Sequence, residues 1–267
     1  MITFPPVESG DRMSVSATLY VTYRTCPQQA LGRVRGVYPP DSVASFKGSL
    51  AHRLFARHLA VGPIPPDAIE QACREEIGAP EGHLNERLAP LGLTRPSRLA
   101  PVVREVSDLY ARFAQLPIRG FRDAEVSLDV TVAGDVRLRG RVDAVLDDGD
   151  GVAIVDWKTG RWLEDAEPQL EFYILVWMIE HEEVPRRAEA VSVLTGERLD
   201  VAPDVERARS TARDLAEMID ALRAAIRSGE DLERTAGPHC RWCPLLGECA
   251  EGASAVAVLA GPGAGAP

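Results

Sequence analysis

The strongest constraint on the fold is a pair of β-prone runs joined by a short acidic turn. The first, Val136-Arg137-Leu138-Arg139-Gly140-Arg141-Val142-Asp143-Ala144-Val145-Leu146, alternates and then becomes apolar. The second, Gly151 through Val155, is apolar and ends in Asp156-Trp157-Lys158-Thr159-Gly160. Runs of this kind, with a Gly-containing turn over Asp147 to Gly151, predict a β-hairpin or adjacent strands. Such pairing brings Asp143, Asp156 and Lys158 to one end of a sheet. Carboxylates are hard oxygen ligands suited to Mg²⁺ or Mn²⁺. A lysine two residues beyond one of them, on the same strand face, can orient or deprotonate a water and stabilise charge on a phosphate. The pattern points to metal-dependent phosphodiester chemistry.

The chain has 267 residues and 45% hydrophobic content, enough for one large domain or two small ones. No run approaches the roughly 18 apolar residues of a membrane span. The start, Met1-Ile2-Thr3-Phe4-Pro5-Pro6, lacks a basic segment followed by an apolar stretch, so a cytoplasmic location is expected. The net charge of −10 opposes strong non-specific binding to a duplex but leaves room for a local basic groove.

Along the chain, residues 1–13 read as irregular. A short helix is expected up to Tyr23, with Ser14 or Ser16 as N-cap, and a second from Ser42 to Leu59. Residues 63–117, rich in Pro and Arg, read as an all-helical insertion with helices over Pro66–Ile77 and Val102–Leu116. Strands follow at 123–132, 135–146 and 151–157, then a helix over Glu167–Glu182 and a strand over Ala188–Leu194. An amphipathic helix spans Asp204–Ser228. The Gly/Ala/Pro-rich tail, 253–267, is expected to be disordered. The fold class is α/β: a mixed central sheet flanked by helices.

Five cysteines stand at 26, 73, 240, 243 and 249. Cys240-x-x-Cys243-x5-Cys249 reads as a metal or cluster site before a disulfide framework, and Cys26-Pro27 supplies a fourth thiolate from the far end of the chain. Cys73, inside a helical run, reads as inert.

Three further features join the carboxylates. Gly48-Ser49-Leu50-Ala51-His52 places an imidazole on a helix, Gln169 and Tyr173 share one helix face at i, i+4, and Glu125 precedes Asp143 on a neighbouring strand. Gly48…His52, Gly140-Arg141-Val142-Asp143, Asp156-Trp157-Lys158-Thr159-Gly160 and Gln169…Tyr173 together resemble the RecB-like branch of the PD-(D/E)xK nuclease superfamily, over about residues 14–250. With Thr18-x-Tyr20-x-x-Tyr23-x-x-Cys26-Pro27 and the terminal cysteines, the chain is similar to its iron–sulfur members, the AddB nuclease domain and the CRISPR-associated adaptation nucleases.

The resemblance implies a restriction-endonuclease-like domain over residues 14–252, with 63–117 as a helical insertion. Segment 238–250 would pair with Cys26 to hold a 4Fe–4S cluster that staples the termini, zinc being the alternative. His52, Asp143, Asp156 and the Trp157 carbonyl would be metal ligands for Mg²⁺ or Mn²⁺, and Lys158 would position the attacking water. Gln169 and Tyr173 would contact DNA or brace Lys158. Glu125 is a support for the site or a plain strand residue. The implied activity is a single-strand DNA exonuclease of repair, recombination or CRISPR adaptation. A non-catalytic iron–sulfur DNA-binding or helicase-accessory module is the alternative. Because no helicase motif occurs here, a motor would be a separate protein, as would CRISPR adaptation partners. The single strand is expected to thread between the insertion and the sheet, past Arg98, Arg104 and Arg112.

Overall fold

A computed structural model describes residues 2–163 and 165–260. The regular elements, in chain order, are β1 (Met13–Ser16), α1 (Ala17–Thr25), α2 (Pro27–Val34), α3 (Val43–Val61), α4 (Ile69–Gly78), α5 (Leu84–Leu88), α6 (Pro96–Phe113), β2 (Phe121–Val132), β3 (Val136–Asp148), β4 (Gly151–Lys158), α7 (Ala166–His181), β5 (Arg187–Ser192), β6 (Arg198–Val201), α8 (Val205–Ser228) and α9 (Ala250–Ala260). Six strands form one mixed sheet in the order β1-β3-β4-β5-β6, with β2 antiparallel to β3.

The expected hairpin is present. β3 and β4 pair antiparallel from Ala144↔Val155 to Asp148↔Gly151. Their two-residue turn places Gly149 at a φ of 71°, which only glycine adopts without strain. The feature that opens the site lies on β3's other half. β1 runs parallel to β3 over Val136–Arg139, so one edge of β3 is shared, first by β1 and then by β4. Gly140 to Asp143 lie in the fork between them.

Two apolar cores sandwich the sheet. On one face Leu138, Val142 and Ile154 pack with α1, α2, α7 and α8 through Tyr20, Leu31, Phe172 and Leu215. On the other, Ala144, Val155 and Trp157 pack with α3, α4 and α6 through Leu54, Phe55, Val106, Tyr110 and Phe113. The stretch 63–117 therefore seals one sheet face with close-packed side chains, Phe113 meeting the Trp157 ring edge-on at 5.2 Å. The expected strand channel between insertion and sheet is filled by this core.

Several boundaries differ from the sequence reading. Met13–Ser16 is a strand, its four residues alternating buried and exposed, and Ser16 rather than Ser14 caps α1, accepting from the Leu19 amide at 3.1 Å. α6 begins at Pro96, six residues early, because Pro at a first helical position sacrifices no bond; Pro101 is tolerated one turn in. β6 is too short to register as alternation. Residues 253–260, expected without structure, complete α9; the remainder of that tail, 261–267, lies outside the described residues. No helix among the described residues is long and apolar enough to cross a membrane.

Candidate active site

The fork in the sheet is where side chains gather. Beyond Val155, β4 leaves β3, and the Trp157 amide that would continue the ladder donates instead to Asp143 Oδ2 at 2.6 Å. Asp143 thus satisfies an orphaned backbone donor while its other oxygen lies 3.0 Å from His52 Nδ1. His52 is supplied by α3, whose N-terminus is fixed by a Ser42–Ser45 capping box. One turn earlier, Gly48 faces Thr159, the residue after β4: a Cβ there would lie 3.4 Å from Thr159 Oγ1, an ordinary contact.

Glu125 joins this pair. Its neighbours pair as Ala124↔Ala144 and Val126↔Val142, so Glu125 stands opposite Asp143. Its φ of 53° is left-handed, a conformation that costs a non-glycine residue roughly 1–3 kcal/mol and concentrates at functional sites. Ligand atoms of His52, Glu125 and Asp143 all lie within 4.8 Å of one another. One imidazole and two carboxylates suit a divalent cation. Burial and then the Asp143 charge raise the Glu125 pKa. For His52, burial opposes protonation, but Asp143, Asp156 and Glu125 outweigh it and raise the ring to about 9. The cluster therefore holds more negative charge than its own cation balances.

Asp156 points elsewhere. It is 4% exposed, its Oδ1 accepts from Gln169 Nε2 at 2.8 Å, and its Oδ2 lies 2.8 Å from Lys158 Nζ without hydrogen-bond geometry. Burial and the Asp143 charge push its pKa up to about 6 against the pull of Lys158. Asp156 is thus not among the three side chains whose ligand atoms lie within 4.8 Å of one another, and Glu125 is. Trp157 reaches the site through its amide, while its ring is buried among apolar side chains.

Gln169 and Tyr173 turn inward from α7. Gln169 Oε1 accepts from Lys158 Nζ at 2.5 Å, and its Nε2 donates both to Asp156 and to the Tyr173 hydroxyl, each at 2.8 Å. Tyr173, 5% exposed, is linked to the lysine through Gln169 and presents little surface. Burial raises its phenol pKa, so it stays neutral. Gly140 is the steric counterpart: a Cβ there would lie 2.9 Å from Tyr173 Cε1, closer than real contacts allow.

The expected phosphate-binding arginines all lie on α6. Arg98 is exposed, Arg104 lines a shallow cavity beside Glu70, Glu105 and Asp108, and Arg112 donates to the Leu194 carbonyl at 3.3 Å. Arg137, Arg139 and Arg141 are exposed alternate residues of β3, the strand that carries Asp143. Arg141 pairs with Glu125 at 3.3 Å, and Asp129 accompanies the other two. Their period of two was legible; their lead toward Asp143 was not.

Cys26, Cys240, Cys243 and Cys249 line one cavity of about 290 Å³ between α2 and the C-terminal segment. No three of their sulfurs lie within 4.8 Å of one another. The Gly237 and Gly252 amides donate to Cys240 Sγ and Cys249 Sγ at 3.4 and 3.3 Å. Cys73 is apart, fully buried in α4.

The sequence profile of the PD-(D/E)XK nuclease superfamily matches residues 14–250, which include His52, Glu125, Asp143, Asp156, Lys158, Gln169, Tyr173 and all four clustered cysteines. The chain belongs to that superfamily. Its members are nucleases that use divalent metal ions, and the mixed sheet flanked by helices is the restriction-endonuclease-like arrangement. Similar solved structures include SSO0001, with 14% identity, 91% of this chain and 88% of that chain covered, and a TM-score of 0.41. A candidate exonuclease from Eubacterium rectale has 16% identity, coverage of 83% and 84%, and a TM-score of 0.48. VC1899 from Vibrio cholerae has 15% identity, coverage of 70% and 56%, and a TM-score of 0.24. No curated protein matches this sequence.

Proposed function

We propose that this nuclease is a DNA exonuclease that hydrolyses single strands from their ends. The observation that carries the catalytic part is the cluster of His52, Glu125 and Asp143 beside a lysine held by Gln169 and Asp156. Those three residues would hold one Mg²⁺ or Mn²⁺ ion, which when bound neutralises phosphoryl charge and acidifies water. Lys158 is held between Gln169 and Asp156 and keeps donors free, which would meet an attacking water or a phosphate oxygen without large reorganisation. Asp143 is fixed by the Trp157 amide, which keeps its second oxygen on the His52 side. Arg137, Arg139 and Arg141 would hold successive phosphates, because alternate strand residues stand about 6.6 Å apart. An intact, braced lysine argues against a purely structural module.

Cys26, Cys240, Cys243 and Cys249 would hold a 4Fe–4S cluster that ties the start of α2 to the C-terminal segment. Zinc, with bonds of about 2.3 Å, draws four sulfurs to roughly 3.8 Å from one another. The resemblance to iron–sulfur members favours a cluster over zinc, and the two amide donors suit thiolate sulfurs.

The test compares end-labelled linear single strands, circular single strands and blunt duplex with Mn²⁺ or EDTA. Linear single strands should be degraded with Mn²⁺ and untouched in EDTA. Asp143→Ala, Glu125→Gln and Lys158→Ala should each lower the rate by about 10²-fold or more. Cleavage at the wild-type rate by Asp143→Ala or Lys158→Ala refutes the assignment; efficient cutting of circles refutes the end requirement.

A further inference from the structure

We infer that Trp162 forms the stacking face of a nucleobase subsite beside Lys158, which admits an unpaired base of the substrate strand. The inference rests on the nuclease reading for its ligand class and on separate observations for its place. Trp162 follows the catalytic strand β4 on a loop tethered to β5, where Ser192 Oγ donates to the Gly160 carbonyl at 2.8 Å. It is 72% exposed; Trp242, in the cysteine segment, is 71% exposed, and Trp157 and Trp177 are buried, so Trp162 is the exposed tryptophan that shares a cavity with Lys158. Together with Lys158 and Gln169 it lines a cavity of about 180 Å³, whose other walls include Thr18 and Thr22 of α1 and Asp165.

The lining selects the chemistry. Lys158 is the cation of this cavity, and Gln169 and Asp156 already engage it. Asp165 adds a negative charge, so a phosphate is disfavoured there. A flat, uncharged ring suits the indole face, and its polar edge can meet the threonine hydroxyls and the Asp165 carboxylate. Base–aromatic stacking is indifferent to sequence because every base has a π-face. A base inside a duplex has both faces stacked and its edge paired, so it cannot enter. The cavity therefore discriminates single strands from duplex at the catalytic lysine itself, a role that bulk charge cannot perform.

The experiment measures anisotropy of a labelled single-stranded oligonucleotide in EDTA, where no cleavage competes. Trp162→Ala should weaken binding by about 5- to 100-fold, and Trp162→Phe should recover most of the loss. Moving a single abasic site along the oligonucleotide should reveal one position that weakens the wild type to a similar degree and leaves Trp162→Ala unaffected. Binding of Trp162→Ala within about twofold of wild type, or abasic losses identical in the two proteins, overturns the inference. Cleavage by the wild type with Mn²⁺ is scored in parallel. Its absence removes the nuclease reading, while the binding comparison still decides the subsite.

Discussion

Replacing Gly140 by alanine tests how the sheet fork is built. A methyl there would lie 2.9 Å from Cε1 and 3.1 Å from Cδ1 of Tyr173, a ring that is 5% exposed. The ring cannot retreat into solvent, so relief requires a shift of several tenths of an ångström in a packed core. Overpacking of this kind costs about 1–3 kcal/mol. Gly140 has no left-handed φ, so alanine recovers about 0.5–1 kcal/mol of backbone entropy. The net expectation is destabilisation centred on about 1 kcal/mol and reaching about 2.5 kcal/mol, read as a lower urea midpoint at unchanged m. Displacement passes through the 2.8 Å Tyr173–Gln169 hydrogen bond to Lys158, so kcat should fall by about tenfold or more. The decisive measurement is a double-mutant cycle with Tyr173→Ala, which removes the clashing atoms. In that background Gly140→Ala should be neutral or stabilising. An equal cost in both backgrounds, or no cost in the wild type, refutes the steric account of this glycine.

Arg139→Ala should weaken single-strand binding at all sequences alike and reduce the slope of log K against log salt by about 0.7, measured by anisotropy titration; an unchanged slope removes Arg139 from the phosphate path. Anaerobically purified protein should be brown, and Cys243→Ala should lose both colour and thermal stability. Stoichiometric zinc without iron would overturn the cluster and leave the nuclease intact. Burial pushes the Cys73 thiol up to about 11, so iodoacetamide at pH 8 should spare it in the native protein and modify it after unfolding; labelling of native protein at Cys73 contradicts its burial. Burial lowers the His58 pKa, and the Tyr110 hydroxyl, which accepts the Ile64 amide at 2.6 Å, donates to the neutral ring at 2.8 Å. The unfolded chain then binds a proton that the native one resists, so stability should fall as pH drops from about 7 to 5. His58→Asn should flatten that decline in urea midpoints; an equally steep decline excludes His58.

Local pattern was enough to find the hairpin and α7, and to single out His52 and Asp143, which lie 3.0 Å apart. Apolar alternation reports strand faces, and the i, i+4 spacing of Gln169 and Tyr173 survives folding as a shared face. What these two residues do was not local. Tyr173 is a brace because Gly140, on another element, leaves room for its ring, and Gln169 is a brace because Asp156 and Lys158 come to meet it. β1 escaped notice because four residues give too little alternation to distinguish a strand from the start of a helix.

The sequence by itself determined the chemical inventory: hard carboxylates, an imidazole and a lysine within a match to the PD-(D/E)XK superfamily, and four cysteines besides. Only the tertiary structure decided which of them meet. Glu125 joins His52 and Asp143 because β2 places it opposite Asp143 in a left-handed conformation, whereas Asp156 turns to Lys158 and Gln169 once β4 diverges from β3. Likewise the helices of 63–117 close over the sheet instead of framing a channel, because Tyr110 and Phe113 find Val155 and Trp157 to pack against. Strand pairing and core packing join residues far apart in the chain, and a one-dimensional pattern records the faces they present but not the partners they find.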